Sequence, residues 1–200
     1  GRMSSEARPV LVTGGAGFIG SHVCDALLAA GHAVRCMDDL ATGKRENIAH
    51  LEGRSDFAFV KADIRHVAEC REAMRGVASV VHLAALGSVP RSIADPLATH
   101  ATNLTGFLHV IEAARLEGVE RFVYASSSSV YGLKDDPEVT EDLPLEPLTD
   151  YSKYKAMCEE YLNKAATDDF IVTTIRPSTV CGYSPRMRLD LTVNILTNHA

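Results

Sequence analysis

Short apolar, β-branched runs alternate with longer amphipathic stretches along most of the chain. The first run, Pro9-Val10-Leu11-Val12-Thr13, is apolar at nearly every position, which predicts a strand buried on both faces, as in a parallel sheet. An amphipathic stretch over 18–30 stops at Gly31, a residue suited to a helix C-cap, and positions 33–37 read as a second strand ending at Asp38-Asp39. Further strands are predicted at 57–61, 79–83, 121–126 and 171–176, with helices near 66–75, 97–117 and 151–166. Six strands interleaved with helices predict an α/β fold, a doubly wound parallel sheet with helices on both faces and right-handed crossovers. Positions 133–150 break the rhythm. They hold three prolines and seven acids against the single Lys134, and read either as a solvated acidic connector or as a lid over a site. After Arg176-Pro177 the pattern becomes irregular, with one more helix candidate at 189–196.

Composition narrows the function. At 46% hydrophobic and 23% charged over 200 residues the chain is globular, neither disordered nor fibrous. A formal charge of −6 gives no cationic field for nucleic acid or an anionic membrane, so an anionic ligand needs a local device. No apolar run reaches the roughly 18 residues that suggest a transmembrane helix, and GRMSSEARP lacks the apolar core of a signal peptide, which points to the cytoplasm. Five scattered cysteines without a CxxC pair fit reduced thiols better than disulfides or a zinc site. Gly1 and Arg2 before Met3 read as a tag remnant, and residues 1–9 as a lead into the first strand.

The local device lies between the first strand and the first helix, in Gly14-Gly15-Ala16-Gly17-Phe18-Ile19-Gly20. Glycines three apart permit a tight strand-to-helix turn, close backbone approach to a pyrophosphate, and tight packing of helix on sheet. The helix-terminal N–H groups then bind the anion. An acid, Asp38, follows Gly20 by 18 residues at the end of the second strand, where a carboxylate accepts bonds from ribose hydroxyls and repels a 2′-phosphate. NAD is therefore favoured over NADP. Asp39 fits a strand-end turn, and Lys44 and Arg45 nearby soften the discrimination.

In chain order the sequence then presents Asp63-Ile64, His82-Leu83-Ala84-Ala85, Asn103, the serines before Val130-Tyr131-Gly132, and Tyr151-Ser152-Lys153-Tyr154-Lys155. Together with the glycine spacing, this set resembles the extended short-chain dehydrogenase/reductase family, the group of NAD-dependent nucleotide-sugar epimerases and dehydratases, over about 10–182. The resemblance implies a Rossmann-like cofactor domain and a homodimer built through the helices near 97–117 and 151–166. It implies that Asp63 and Ile64 border the adenine, that Leu83, Ala84, Ala85 and Pro177 line the cofactor, and that Asn103 shapes the nicotinamide side. His82, at an apolar strand end, reads as structural, and no metal is implied.

Tyr151 and Lys155 stand four apart on a predicted helix and so share a face. For Tyr151 to act as a base near neutrality its pKa must fall by about three units from about 10, or roughly 4 kcal/mol. One cation about 4 Å away at an effective dielectric near 20 supplies about that much. Ser127, four before Tyr131, matches the family's catalytic Ser/Thr, although its serine neighbours blur the choice. Family dehydratases carry Asp-Glu directly after that residue; here stand Ser128 and Ser129, which disfavours elimination and favours 4-epimerisation through a transient 4-keto sugar. A 4-ketoreductase or dehydrogenase and an NAD-binding sensor module are the alternatives. By the same resemblance Ser88 and Val89, with Ser127, Ser128 and Tyr151, face a nucleotide-diphosphate sugar. Thr179 replaces the Asn that many members use against the sugar nucleotide, a departure that leaves that contact open.

The cofactor domain so defined covers 10–180, leaving 181–200 as the start of an incomplete substrate lobe. Ala200 is therefore expected to be a truncation point, and this stretch alone to bind NAD better than it turns over a sugar.

Overall fold

The structure, a computed structural model, describes residues 8–87 and 89–184 together with Leu196. The helix expected over 189–196 lies outside the described residues except at Leu196. Six strands form one parallel sheet: β1 (Val10–Thr13), β2 (Val34–Asp38), β3 (Phe57–Lys61), β4 (Ser79–His82), β5 (Arg121–Ala125) and β6 (Ile171–Ile175), in the order β3-β2-β1-β4-β5-β6. β1 sits centrally, with Thr13 paired to Met37 on one side and to His82 on the other. The chain builds outward from β1 to β3 and then crosses back to β4. The strand order thus reverses between β1 and β4, which opens a crevice at their carboxyl ends.

Alternation along each strand makes two cores. Leu11, Met37, Val80, Phe122 and Tyr124 point to one face, where helices α2 (Val67–Met74), α5 (Phe107–Leu116) and α6 (Asp150–Ala165) cover them. Val12, Val34 and Cys36 point to the other, under α1 (Phe18–Ala29) and a 3-10 turn over Arg45–Leu51 that buries Ile48 and Leu51. Burial on both faces is why these strands read as nearly unbroken apolar runs. α1 ends as expected, with Gly31 at φ 87 and its N–H bonded to Leu28 O.

The single helix expected over 97–117 is divided. A short α3 (Val89–Ala94) precedes Asp95, whose carboxylate accepts the Ala98 N–H at 3.0 Å and starts α4 (Pro96–His100) with proline in its first turn. A π-helical stretch over Ala101–Gly106 then joins α4 to α5. The wider turn brings Gly106 against Ile64, where an added Cβ would lie 2.9 Å from the isoleucine side chain. α6 starts at a capping box, in which Thr149 and Ser152 exchange side chain and backbone bonds at 3.2 and 3.0 Å.

Candidate functional site

The crevice at the carboxyl ends of β1, β4 and β5 encloses about 530 Å³. It gathers segments far apart in sequence: the glycine turn, the end of β2, the turn after β4, Ser126 and Ser127, the first turns of α6, and 177–180.

The glycine turn is shaped by contacts that exclude side chains. Gly14 has φ 69, and a Cβ there would stand 2.9 Å from the Ala84 backbone, so the turns after β1 and β4 pack backbone to backbone. At Gly20 a Cβ would collide with the Gly14 carbonyl oxygen. Gly17 is the N-cap of α1 and supplies no capping side chain, and the first turn holds no acid. The positive end of α1 is therefore offered to the crevice, where Phe18 and Ile19 also stand. A cradle that a Cβ would fill, with an uncapped helix end behind it, fits the diphosphate of a dinucleotide.

Asp38 lines the same crevice and is only 8% exposed. Its carboxylate accepts the Ala16 N–H at 3.0 Å and the Leu40 N–H at 2.8 Å, which ties the end of β2 to the glycine turn. Burial pushes its pKa up, and these two amides oppose the rise. Asp39 accepts the Ala41 N–H at 2.9 Å, the strand-end role expected of it, although it also borders the crevice. Arg45 is held by Glu52 at 2.7 Å and lies over the Phe59 ring. A cation the sequence reading missed, Arg65, does reach the crevice.

Ile64 lines the crevice, whereas Asp63 is bound by Arg65 at 2.6–3.0 Å, which holds its carboxyl below the usual range. Leu83, Ala84 and Ala85 line it as expected, and two side chains fix them. The Thr13 hydroxyl accepts the Leu83 and Ala84 N–H groups, both at 3.2 Å, which leaves its proton for Nδ1 of His82 at 2.7 Å. His82 is thus a neutral acceptor at Nδ1, and burial followed by the Lys155 charge pushes its pKa down to about 3. Asn103, in the π-helical stretch, accepts the Leu86 N–H at 2.7 Å and donates to Leu86 O at 3.0 Å. It shapes this turn from behind and does not line the crevice.

At the other end stand Ser127, Tyr151 and Lys155. Lys155 is 6% exposed; its Nζ donates to Ala125 O at 2.6 Å and lies 4.9 Å from the Tyr124 ring centre and 5.7 Å from that of Tyr151. Burial lowers its pKa to about 8, so it remains a cation at neutral pH. Ser127 caps a 3-10 turn over Ser128–Tyr131. Its Oγ accepts from the Ser129 N–H at 3.2 Å and the Ser129 hydroxyl at 2.9 Å, which leaves its own proton to donate. Pro177 and Thr179 line the crevice. Ser128 lies in a neighbouring groove of about 880 Å³, beside Tyr131, Lys134 and Arg176. Ser88 and the side chain of Val89 lie outside the described residues. The acidic segment behaves as a connector: Lys134 folds back onto Glu146 at 2.9 Å, and none of its residues borders the crevice.

A family pattern described as the NAD dependent epimerase/dehydratase family matches residues 10–197. A UDP-glucose 4-epimerase of Mycolicibacterium smegmatis is 41% identical over 184 residues, which is 88% of this chain and 56% of that protein. One from Bacillus subtilis is 34% identical over 197 residues, 95% of this chain and 58% of its own length. Among solved structures, a Thermus thermophilus UDP-glucose 4-epimerase in complex with NAD superposes with a TM-score of 0.77 at 38% identity, covering 84% of this chain and 54% of that one. A Bacillus cereus UDP-glucuronic acid 4-epimerase in complex with UDP-glucuronic acid and NAD gives 0.83 at 34%, covering 93% and 60%. The chain thus spans a little over half the length of these relatives.

Proposed function

Because the chain belongs to the NAD dependent epimerase/dehydratase family, we propose that the protein is an NAD-dependent nucleotide-sugar 4-epimerase, with residues 10–180 as its cofactor domain and 181–200 as the start of its substrate lobe. The observation that carries this reading is the convergence of Ser127, Tyr151 and Lys155 with the glycine turn on one crevice. NAD bound along the glycine turn and Asp38 would supply reversible hydride exchange with C4 of the sugar. Tyr151 takes the proton of the 4-hydroxyl and later returns it, while the Ser127 hydroxyl donates to the reacting oxygen. Lys155 supplies most of the lowering the base needs: a charge 5.7 Å from the ring centre at an effective dielectric near 20 is worth about 3 kcal/mol, or about two of the roughly three pKa units. Return of the hydride to the opposite face of the 4-keto carbon, with the proton going back to its oxygen, would invert C4 with no net redox change.

The test is to incubate the full-length protein with UDP-glucose and follow both epimer ratio and nicotinamide absorbance. Interconversion without net NADH is expected. Sustained NADH formation or loss alongside product would make the protein a dehydrogenase or ketoreductase instead.

Asp38 is assigned to the adenosine ribose. Asp38→Ala is expected to weaken NAD binding by roughly 10- to 100-fold, the worth of hydrogen bonds to a charged group, and to narrow the preference over NADP. Titration of both dinucleotides checks this, and unchanged affinity for both would refute the ribose contact.

A homodimer through α4, α5 and α6 is also part of this reading. Leu97, Leu108, Leu116, Met157 and Tyr161 are exposed on those helices, more apolar surface than a free helical face needs. Among the described residues no helix is long and apolar enough to cross a membrane. Of the five free thiols four are buried, which suits a reducing cytoplasm.

A further inference from the structure

Tyr151, Lys155 and Glu159 follow one another at intervals of four on α6 and so share a face of it. Glu159 is 3% exposed, and a carboxylate so buried needs a partner. Arg176, at the exit of β6, meets it with a fork: Nη2 lies 2.7 Å from Oε2, and Nε 3.1 Å from both oxygens. The remaining arm, Nη1, donates to the Tyr131 hydroxyl at 2.7 Å and reaches Glu141 O at 3.4 Å, with the guanidinium 5.0 Å from the Tyr131 ring centre. Tyr131 closes the 3-10 turn that Ser127 caps, and the Ser128 N–H donates to the carbonyl of Pro177, the residue after Arg176, at 3.0 Å. One guanidinium therefore joins the helix that carries Tyr151 and Lys155, the turn that carries Ser127, and the strand exit that carries Pro177 and Thr179. Arg176, Glu159 and Tyr131 do not line the crevice.

We infer that Arg176 and Glu159 are positioning residues for the Tyr151–Lys155–Ser127 set: their ion pair holds the three segments together and cancels a negative charge one helical turn from Lys155. The inference rests on the proton-transfer roles proposed above. The titratable groups around Lys155 are Tyr151, Cys158 and Glu159 on its own helix, Tyr124 on β5 and His82 on β4. Burial keeps Cys158 a thiol, pushed up to about 12, raises Tyr124 as well, and keeps His82 neutral. Glu159 is the carboxylate of this group, and Arg176 is the partner that holds it. Without Arg176 its charge acts on Lys155 directly. The ammonium, one turn away, is then drawn toward the carboxylate from Ala125 O and Tyr151. A tyrosine that loses its cation titrates at higher pH.

The test compares Arg176→Gln, Glu159→Gln and the double variant in the full-length protein, with UDP-glucose as assay substrate. Arg176→Gln is expected to lower kcat about tenfold or more and to move the acid limb of its pH profile up by about half a unit to one unit, with NAD affinity and KM within about threefold. Glu159→Gln leaves an uncompensated cation and is expected to move the same limb down. The double variant, with neither charge, should return the limb to its wild-type position while kcat stays low. If Arg176→Gln fails to fold, the other two still decide: a limb unmoved in Glu159→Gln, or shifted in the double variant, overturns the inference, as does an unmoved limb in folded Arg176→Gln. If the wild-type protein does not interconvert sugars, the epimerase reading fails by itself. The clamp is then read from ultraviolet titration of the Tyr151 phenol, taken as the difference from Tyr151→Phe, with the same signs required.

Discussion

Replacing Tyr151 with Phe is expected to lower kcat by about 10²- to 10⁴-fold, the range that a positioned acid–base group contributes, with NAD affinity nearly unchanged. The residue sits in the first turn of α6, behind the capping box of Thr149 and Ser152, and phenylalanine keeps the ring that lies against Lys155. Only the phenolic O–H is lost, so the fold and the glycine turn are untouched. Equilibrium binding of NAD beside steady-state kinetics checks the split, and turnover within threefold of wild type would remove Tyr151 from the reaction. The same geometry sets the alkaline limb. Lys155 carries its charge below about pH 8 and loses it above, since burial lowers its pKa, so wild-type kcat should fall as pH rises through about 8. Stability should respond with the opposite sign. Between about pH 8 and the ordinary lysine range, the folded chain binds fewer protons at this site than the unfolded chain does, so this group's contribution to stability rises with pH. Denaturant melts across that range check it, and Lys155→Met should abolish the dependence.

The parts of this molecule that were legible in the sequence are those where one segment carries its own signal. Each strand is legible to within a residue or two: β1 because burial on both faces makes it apolar throughout, the edge strands β3 and β6 as short runs between helical stretches. The glycine turn is legible from its spacing together with the strand before it, the helix after it and the acid 18 positions on. The pairing of Tyr151 with Lys155 is legible as a helical offset of four, whereas Ser127 is singled out from its run by the family resemblance; the structure sets all three on one crevice. What the sequence did not show are features made by two segments at once. The π-helical stretch sets Gly106 against Ile64, 42 positions away, and no 3.6-residue period reports it. Thr13 read only as the end of a strand, yet its hydroxyl supports the turn after β4. Arg176 and Glu159 meet across 17 positions, and no motif in either segment marks the pair. The serine run was ambiguous for the opposite reason: four identical side chains compete locally, and only the 3-10 turn decides that Ser129 supports Ser127 while Ser128 faces a neighbouring groove.

Gly20→Ala should abolish NAD binding at concentrations that saturate the wild type, a loss of at least about 100-fold, and destabilise the chain by roughly 1–3 kcal/mol, as overpacking of a tight contact does. The added Cβ would strike the Gly14 carbonyl oxygen and stand 2.7 Å from Gly15 Cα, and neither is the flexible end of a side chain that swings away. Relief requires the first turn of α1 to move off the glycine turn, taking with it the N–H groups proposed to hold the pyrophosphate. Gly31→Ala is the control. Gly31 has φ 87 and open space around its Cβ position, so the substitution carries only the strain of a left-handed residue, about 1 kcal/mol, and lies at the far end of α1 from the crevice. The two variants should therefore differ modestly in melting temperature but sharply in NAD titration. If Gly20→Ala bound NAD as Gly31→Ala does, the diphosphate would not lie against the start of α1, and Asp38 would lose its place at the ribose as well, because both assignments rest on one path of the cofactor along this turn.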